Sequence, residues 1–361
     1  MLPPSETEGA DPLPPATPQA SGGSEFGVAL PYSTCLARAP CPPKSVATLP
    51  LNHHRRNFAT SPVEAVPNPG SPRNLTRVRY FLVLSQRLKM APLYNKALVL
   101  GGTSGIGAAF AAKLIADGSK VVVVGRRQDR LDAFVEAHGS ENASAVAFDV
   151  TNLTGIGAFA EAVVKADPDL DCVIVNSGIQ RAFDFAKPET LELSALGDEI
   201  TTNYTSAVHL TAAFLPHLRK QSQGHLVYVS ATLGLIPSMI RTPNYNASKA
   251  ALHTFILNVR SQLREAGVSN IRMVEVFPPA VQTELHDERH QPDLVNGGEI
   301  GMPLAEFTDK MYDGLVRGAD QFAIGPGERF LEEGGWEHQR TQLYEAGQGA
   351  LKGSLAKYLK K

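Results

Sequence analysis

Cysteine is scarce in this chain, with three in 361 residues. Cys35 and Cys41 lie in a proline-rich stretch and Cys172 sits alone in an apolar run. That gives neither a disulfide framework nor a metal-ligand spacing, and it suits a reducing compartment. Cys172 reads as a small buried hydrophobe. No run of about 18 apolar residues occurs, so no segment is expected to span a bilayer. The formal net charge of −2 lacks the basic excess that binding to nucleic acid or an acidic membrane would use. No internal repeat is visible. A secretory signal is not expected, because the first 30 residues contain acids and prolines but no basic n-region.

Apolar residues make up 43% and charged residues 19%, enough for a sizeable core, but they are unevenly spread. Fifteen of the 26 prolines precede residue 90. Such a segment cannot bury enough apolar surface to offset its ordering entropy, so residues 1–89 are expected to be a disordered extension. They hold nine Lys+Arg against five Asp+Glu, whereas the remainder holds 25 against 31. The setting expected is cytoplasmic. A mitochondrial presequence stays open, although Glu6, Glu8, Asp11 and the lack of Arg before Arg38 count against it. Met90 opens "MAPLYNKALVLGG", so it is an alternative start that would make the upstream stretch foreign to the native protein.

From residue 95 the pattern is a regular alternation. Apolar runs at 96–100, 120–125, 144–150, 171–178, 224–230 and 271–277 read as strands buried on both faces. Helix-length segments fall at 105–117, 129–138, 152–166, 190–220 and 244–266, with a further helix at 303–317 and a strand at 321–325. Strands alternating with helices predict an α/β fold with a doubly wound parallel sheet, a Rossmann fold, as a single domain over residues 90–330. Residues 331–361 are expected to form a helical tail, to which no function is attached.

Between the first strand and helix stands "LGGTSGIGAAF". Glycines at such a turn permit positive φ and close approach to a ligand, and the helix N-terminus offers free N–H groups to a phosphate. The second strand ends "VVVVGRRQDR". Gly125 stands where an NAD-binding fold places an acid for the ribose 2′-hydroxyl. Arg126 and Arg127 follow it, suited to grip a 2′-phosphate, so NADP is favoured over NAD. In "TPNYNASKAAL" (242–252), Tyr245 and Lys249 share one helix face. A nearby ammonium favours the phenolate and moves the phenol towards a useful acid/base range.

Taken together, these motifs resemble the short-chain dehydrogenase/reductase family over roughly residues 95–285. "LGGTSGIG" is similar to the family's TGxxxGxG turn with Leu100 for Thr, and "VNSG" (175–178) to NNAG with Val175 for Asn. "FPPAVQTEL" is similar to PGxVxT with Pro279 for Gly, and Tyr245 with Lys249 matches YxxxK. The resemblance implies cofactor contacts at Gly101, Thr103, Ser104, Ile106 and Gly107 in the turn, and at Arg126 and Arg127 after the second strand. Further contacts fall at Asp149 and Val150 by the adenine, Asn176 and Gly178 after strand four, and Val281 and Thr283 by the nicotinamide. It also implies Tyr245 as general acid/base and Lys249 as holder of the ribose hydroxyls and depressor of the Tyr245 pKa. Asn203 would support an ordered water.

The hydroxyl that the family places after strand five to hold the carbonyl is missing from its usual register. Alignment through "LIP" puts Ala231 there, counting back from Tyr245 reaches Thr232, and Ser230 is adjacent. Thr232 is the residue preferred, and Tyr245 acting alone is the alternative. Residues 284–302 read as an irregular lid. His286, His290, Asp287 and Glu288 within it read as solvated charges, so no metal site is expected. Apolar residues on several sides of 190–220 and 244–266, among them Ala207, Leu210, Phe214, Ala251 and Phe255, point to a homodimer or homotetramer. The function expected is an NADP-dependent oxidoreductase acting on a small carbonyl or secondary-alcohol substrate. A non-catalytic NADP-binding sensor or scaffold is the alternative, suggested by Ala231.

Overall fold

The computed structural model describes residues 91–358; the extension expected at 1–89 lies outside them. Strands β1 (Lys96–Leu100), β2 (Lys120–Gly125), β3 (Ala143–Ala147), β4 (Cys172–Val175), β5 (Gly224–Val229), β6 (Ile271–Phe277) and β7 (Gln321–Ala323) form one sheet. Its order is β3-β2-β1-β4-β5-β6-β7, and every pairing is parallel. The helices are α1 (Gly105–Ala116), α2 (Gln128–His138), α3 (Ile156–Ala166), α4 (Leu193–Ile200), α5 (Ser206–Leu218), α6 (Thr232–Leu235), α7 (Pro243–Glu265), α8 (Leu304–Val316), α9 (Glu328–Leu331) and α10 (Trp336–Leu355).

The strand alternation divides the core into two layers. Ala97 and Val99 face Phe110, Leu114, Phe307 and Met311 of α1 and α8. Leu98 and Leu100 face Phe159, Leu210, Phe214 and Ile256 of α3, α5 and α7. Because both faces are covered, the strands are continuously apolar, as in the "VVVV" of β2. Strands β3, β4 and β7 are each shorter than the apolar runs suggest, ending at Ala147, Val175 and Ala323. The residues beyond them leave the ladder to line the cleft. Segment 190–220 is interrupted by a π-helical turn over Thr201–Thr205, a local widening common at functional sites. Ala207, Leu210 and Phe214 are buried within the one chain, while Ala251 and Phe255 are half-buried. Most of the apolar surplus is thus consumed by the protein's own core.

The tail helix α10 is pinned to the body by charge. His253 of α7 lies between two fully buried carboxylates, with Nδ1 2.7 Å from Glu275 of β6 and Nε2 3.0 Å from Glu337 of α10. The second contact is out of line for a hydrogen bond, so it acts mainly as a charge contact. Arg340 also donates to Glu337, at 2.8 Å. Burial lowers the imidazole pKa, but the two carboxylates outweigh it and hold His253 above its ordinary 6.5. Burial raises the Glu337 pKa, and His253 and Arg340 outweigh it, bringing the carboxyl down to about 2.

A raised His253 stabilises the fold fully below pH 6.5 and ceases to as pH rises through its folded value. A depressed Glu337 stabilises it above pH 4.5 and ceases to as pH falls towards 2. Resistance of α10 to limited proteolysis is therefore expected to be greatest between pH 4.5 and 6.5. Glu337→Ala, which removes a buried carboxylate shared by His253 and Arg340 but leaves His253 its contact with Glu275, should lower stability in a denaturant titration by about 1–3 kcal/mol.

Candidate functional site

The chain order of the sheet reverses between β1 and β4, and the carboxyl ends of those strands open onto a crevice, where open α/β sheets bind ligands. A cleft of about 820 Å³ runs along this edge. The β1–α1 turn forms its floor. Gly101 has φ +74°, and a Cβ on Gly107 would lie 2.2 Å from the Gly101 carbonyl oxygen and 2.5 Å from Asn176 Nδ2. The helix can enter so close to the turn only without a side chain there. Asn176 ties the floor to β4 by donating to the Gly101 carbonyl at 3.1 Å. Ser104, the N-cap of α1, makes no side-chain bond to the first helical turn, so those N–H groups face the cleft uncapped, ready for an anion.

Of the residues singled out from sequence, Gly101, Thr103, Ser104, Ile106, Arg126, Arg127, Asp149, Val150, Asn176, Gly178, Thr232, Tyr245, Lys249, Val281 and Thr283 all line this cleft. Gly107 and Asn203 do not. Gly107 shapes the turn from behind. Asn203, in the π-helical turn, accepts from the Ile179 N–H at 2.8 Å and donates to its carbonyl at 2.9 Å and to Ser248 Oγ at 3.1 Å. Its side chain is fully engaged in clamping the loop after β4.

A side chain at Gly125 would put its Cβ 2.5 Å from the Thr103 methyl, so an acid can stand there only if the Thr103 side chain shifts. Arg126 is exposed, its Nη1 3.8 Å from Asp149. Asp149 also accepts from the Thr151 N–H and hydroxyl, so it caps the strand end as well as lining the cleft. Arg127 donates to Ser104 Oγ at 3.1 Å and to Glu284 of the lid at 2.7 Å. Arg130 holds the other oxygen of Glu284 at 2.8 Å. The sequence reading did not single out Glu284.

Tyr245 and Lys249 share a buried face of α7, with Lys249 Nζ 5.7 Å from the Tyr245 ring centre and donating to the Val229 carbonyl at 3.0 Å. The expected depression of the phenol pKa is reversed. Burial pushes Tyr245 well above its ordinary value, and the charge of Glu199 adds to that. Burial also pulls Lys249 down to about 8 against the attraction of Glu275 and Glu199. Desolvation is the largest cause of both shifts, because both side chains are almost wholly buried. Glu199, fully buried one turn before Asn203, accepts from the Arg181 N–H and from Asn244, each at 2.8 Å. Its proximity to the pair depends on long-range packing that no local spacing reveals.

Thr232 Oγ1 donates to the Pro278 carbonyl at 2.7 Å, so its proton is not available to a ligand carbonyl. Ser230 also lines the cleft, and its buried hydroxyl has no partner among the described residues. Ala231 lies between the two. The lid, irregular apart from turns at Glu284–His286 and Gly297–Glu299, is anchored where Gln291 donates to Gln180 at 3.0 Å and where Arg241 pairs with Asp293. His290 is paired with Asp287, and His286 contacts Gln291. Among the described residues no group of three or more His, Cys, Asp or Glu could hold a metal ion.

The glycine floor, the uncapped helix and the exposed Arg126 suit a dinucleotide. The family model described as short chain dehydrogenase matches residues 95–293. A Bacillus subtilis (strain 168) protein described as uncharacterized oxidoreductase DltE is 36% identical over 228 residues, which is 63% of this chain and 86% of that protein. The NADP-dependent 3-hydroxy acid dehydrogenase YdfG of Salmonella typhi is 29% identical over 203 residues, 56% of this chain and 79% of its own. A crystal structure of a short-chain dehydrogenase from Streptomyces avermitilis superposes with a TM-score of 0.57 at 25% identity, over 71% of this chain and 98% of that one.

Asn203→Ala would remove the partner of the Ile179 N–H and carbonyl in a half-buried loop that lines the cleft. A loss of about 1–2 kcal/mol of stability is expected in a denaturant titration.

Proposed function

The chain belongs to the short-chain dehydrogenase/reductase family, and on that premise we propose that it is an NADP-dependent oxidoreductase interconverting a carbonyl and a secondary alcohol. The observation that carries this reading is the meeting of Tyr245 and Lys249 on the wall of the same cleft whose floor is the glycine turn. When bound, the nicotinamide supplies or accepts the hydride. The turn and the first N–H groups of α1 hold the diphosphate, Asp149 and Val150 the adenine end, and Val281 and Thr283 the nicotinamide end. Arg126 takes the 2′-phosphate. The preference for NADP is supported by Gly125, which puts no carboxylate at the end of β2, and by the NADP-dependent relative.

Tyr245 donates its proton to the oxygen of the substrate as it gains negative charge, and takes it back in the reverse direction. Burial keeps the phenol protonated, so the acid is loaded throughout the neutral range. Lys249, with its pKa near 8, stays largely cationic at pH 7 and attracts the phenolate left behind. Asn203 serves as a positioning residue, because its side chain is spent on Ile179. With the proton of Thr232 directed at Pro278, Ser230 is the better candidate to assist at the carbonyl, and otherwise Tyr245 holds it alone.

The non-catalytic sensor or scaffold remains the second reading, favoured by Ala231 and by the engaged hydroxyl of Thr232. Among the described residues no helix is long and apolar enough to cross a membrane, and a cytoplasmic setting is proposed. A homodimer or homotetramer has support only from half-buried residues such as Ala213, Ala251 and Phe255.

Residues 90–361 mixed with NADPH and a panel of ketones and aldehydes are expected to turn over, followed by absorbance at 340 nm. Tyr245→Phe should reduce turnover by about 10²–10⁴-fold while leaving NADPH affinity nearly unchanged. Cofactor binding without turnover on any panel member would favour the sensor. Arg126→Asp should weaken NADPH by about tenfold or more and NADH far less, because only NADPH carries the 2′-phosphate. Equal loss for both would remove the NADP preference.

A further inference from the structure

Arg127 has two claimants. Its guanidinium lies at the end of β2 beside Thr103 and Ser104, where a 2′-phosphate on a dinucleotide in this cleft would arrive. The same Nη2 already donates to Glu284 at 2.7 Å, and Arg130 holds the second carboxylate oxygen at 2.8 Å. Glu284 follows Thr283, whose methyl group is 3.3 Å from the position of a Cβ on Gly105. The first residues of the lid therefore sit directly on the phosphate-binding turn. We propose that Glu284 is a cofactor-specificity residue: an internal carboxylate that competes with the 2′-phosphate for Arg127, and whose displacement by NADP releases the first turn of the lid.

The charge arithmetic leads there. Arg127, Arg130 and Glu284 together carry a single net positive charge, shared across a forked contact. A 2′-phosphate arriving at Arg127 meets the carboxylate at close range. Either Glu284 moves away, taking Glu284–His286 with it, or the phosphate makes do with Arg126, which is exposed and only loosely paired with Asp149. In both cases the affinity for NADP is lower than two free arginines would give. A dinucleotide lacking the 2′-phosphate leaves the Glu284 contacts in place. The carboxylate does not escape by protonation: burial raises its pKa, but Arg127, Ser104 and Arg130 outweigh this and hold it at about 2. A ligand can shift this equilibrium only by its differential affinity for the two states, and the 2′-phosphate is the group that differs.

This rests on the reading that the cleft binds a dinucleotide, and the test separates the two. Dissociation constants for NADPH and NADH would be measured by fluorescence titration on wild type, Glu284→Gln, Arg127→Ala and the double variant, with thermal melts to verify folding. Glu284→Gln is expected to tighten NADPH by about fivefold or more and to leave NADH within about twofold. In the Arg127→Ala background the same change should have little effect, a coupling that a general change in the lid would not produce. Amide exchange over 284–286 in the wild type should rise with NADPH and stay unchanged with NADH. Looser binding of both cofactors by Glu284→Gln would make the residue a strap and overturn the proposal, as would no change in either. Failure of the wild type to bind either dinucleotide would remove the oxidoreductase reading and this inference with it. NADPH binding that is indifferent to Glu284 removes the inference alone.

Discussion

One stripe of α7 constrains much of what surrounds it. Tyr245, Lys249 and His253 stand one turn apart on a face that is nearly fully buried, and each carries a polar group that needs a partner once water is gone. Lys249 takes the last carbonyl of β5 at Val229. His253 takes Glu275 from β6 and Glu337 from α10. At the start of the helix, Asn244 takes Glu199 from α4. These demands explain why a largely apolar strand such as β6 carries a carboxylate into the core. They also give α10 a reason to dock where it does.

The same burial governs the chemistry. Two ionisable groups one turn apart in water would help each other towards opposite charges, and the i, i+4 spacing leads to that expectation. Inside the protein, desolvation acts on each group separately and in opposite senses, raising the phenol and lowering the amine. The result is a neutral, proton-loaded phenol beside a cation of moderate acidity. Such a pair suits a donor that must give up its proton late, when negative charge has formed on a bound oxygen.

Much of the sheet was legible in the sequence because a parallel strand covered on both faces is marked by continuous β-branched residues. The runs at β1, β2 and β6 coincide with the strands to the residue. The glycine floor was legible too, since its spacing follows from the close approach of helix and turn. Strand ends such as Asp149 and Asn176 were less so, because hydrophobicity continues where the ladder has already stopped. Least legible were Glu199, Glu275, Glu284 and Glu337. Apart from Arg340, one turn beyond Glu337, nothing in the neighbourhood of each marks it as paired, because the other partners lie on other elements: Asn244, His253, and Arg127 with Arg130. The hydroxyl at the end of β5 failed for a related reason. A count along the chain can place Thr232 in register, but only the fold shows that its proton is bonded to Pro278.

The arginines at the end of β2 carry this lesson into function. Read as a dipeptide, Arg126 and Arg127 are equivalent grips for a phosphate. In the fold they are not: one is exposed and loosely held, and the other is bound to a carboxylate from a segment 157 residues away. Electrostatic preference in this cleft is therefore a balance between the turn, which favours anions, and the lid, which already supplies one. On the proposed reading, how strongly the cleft prefers a phosphorylated cofactor depends on how readily Glu284 gives way, which makes cofactor choice and the first turn of the lid one physical question.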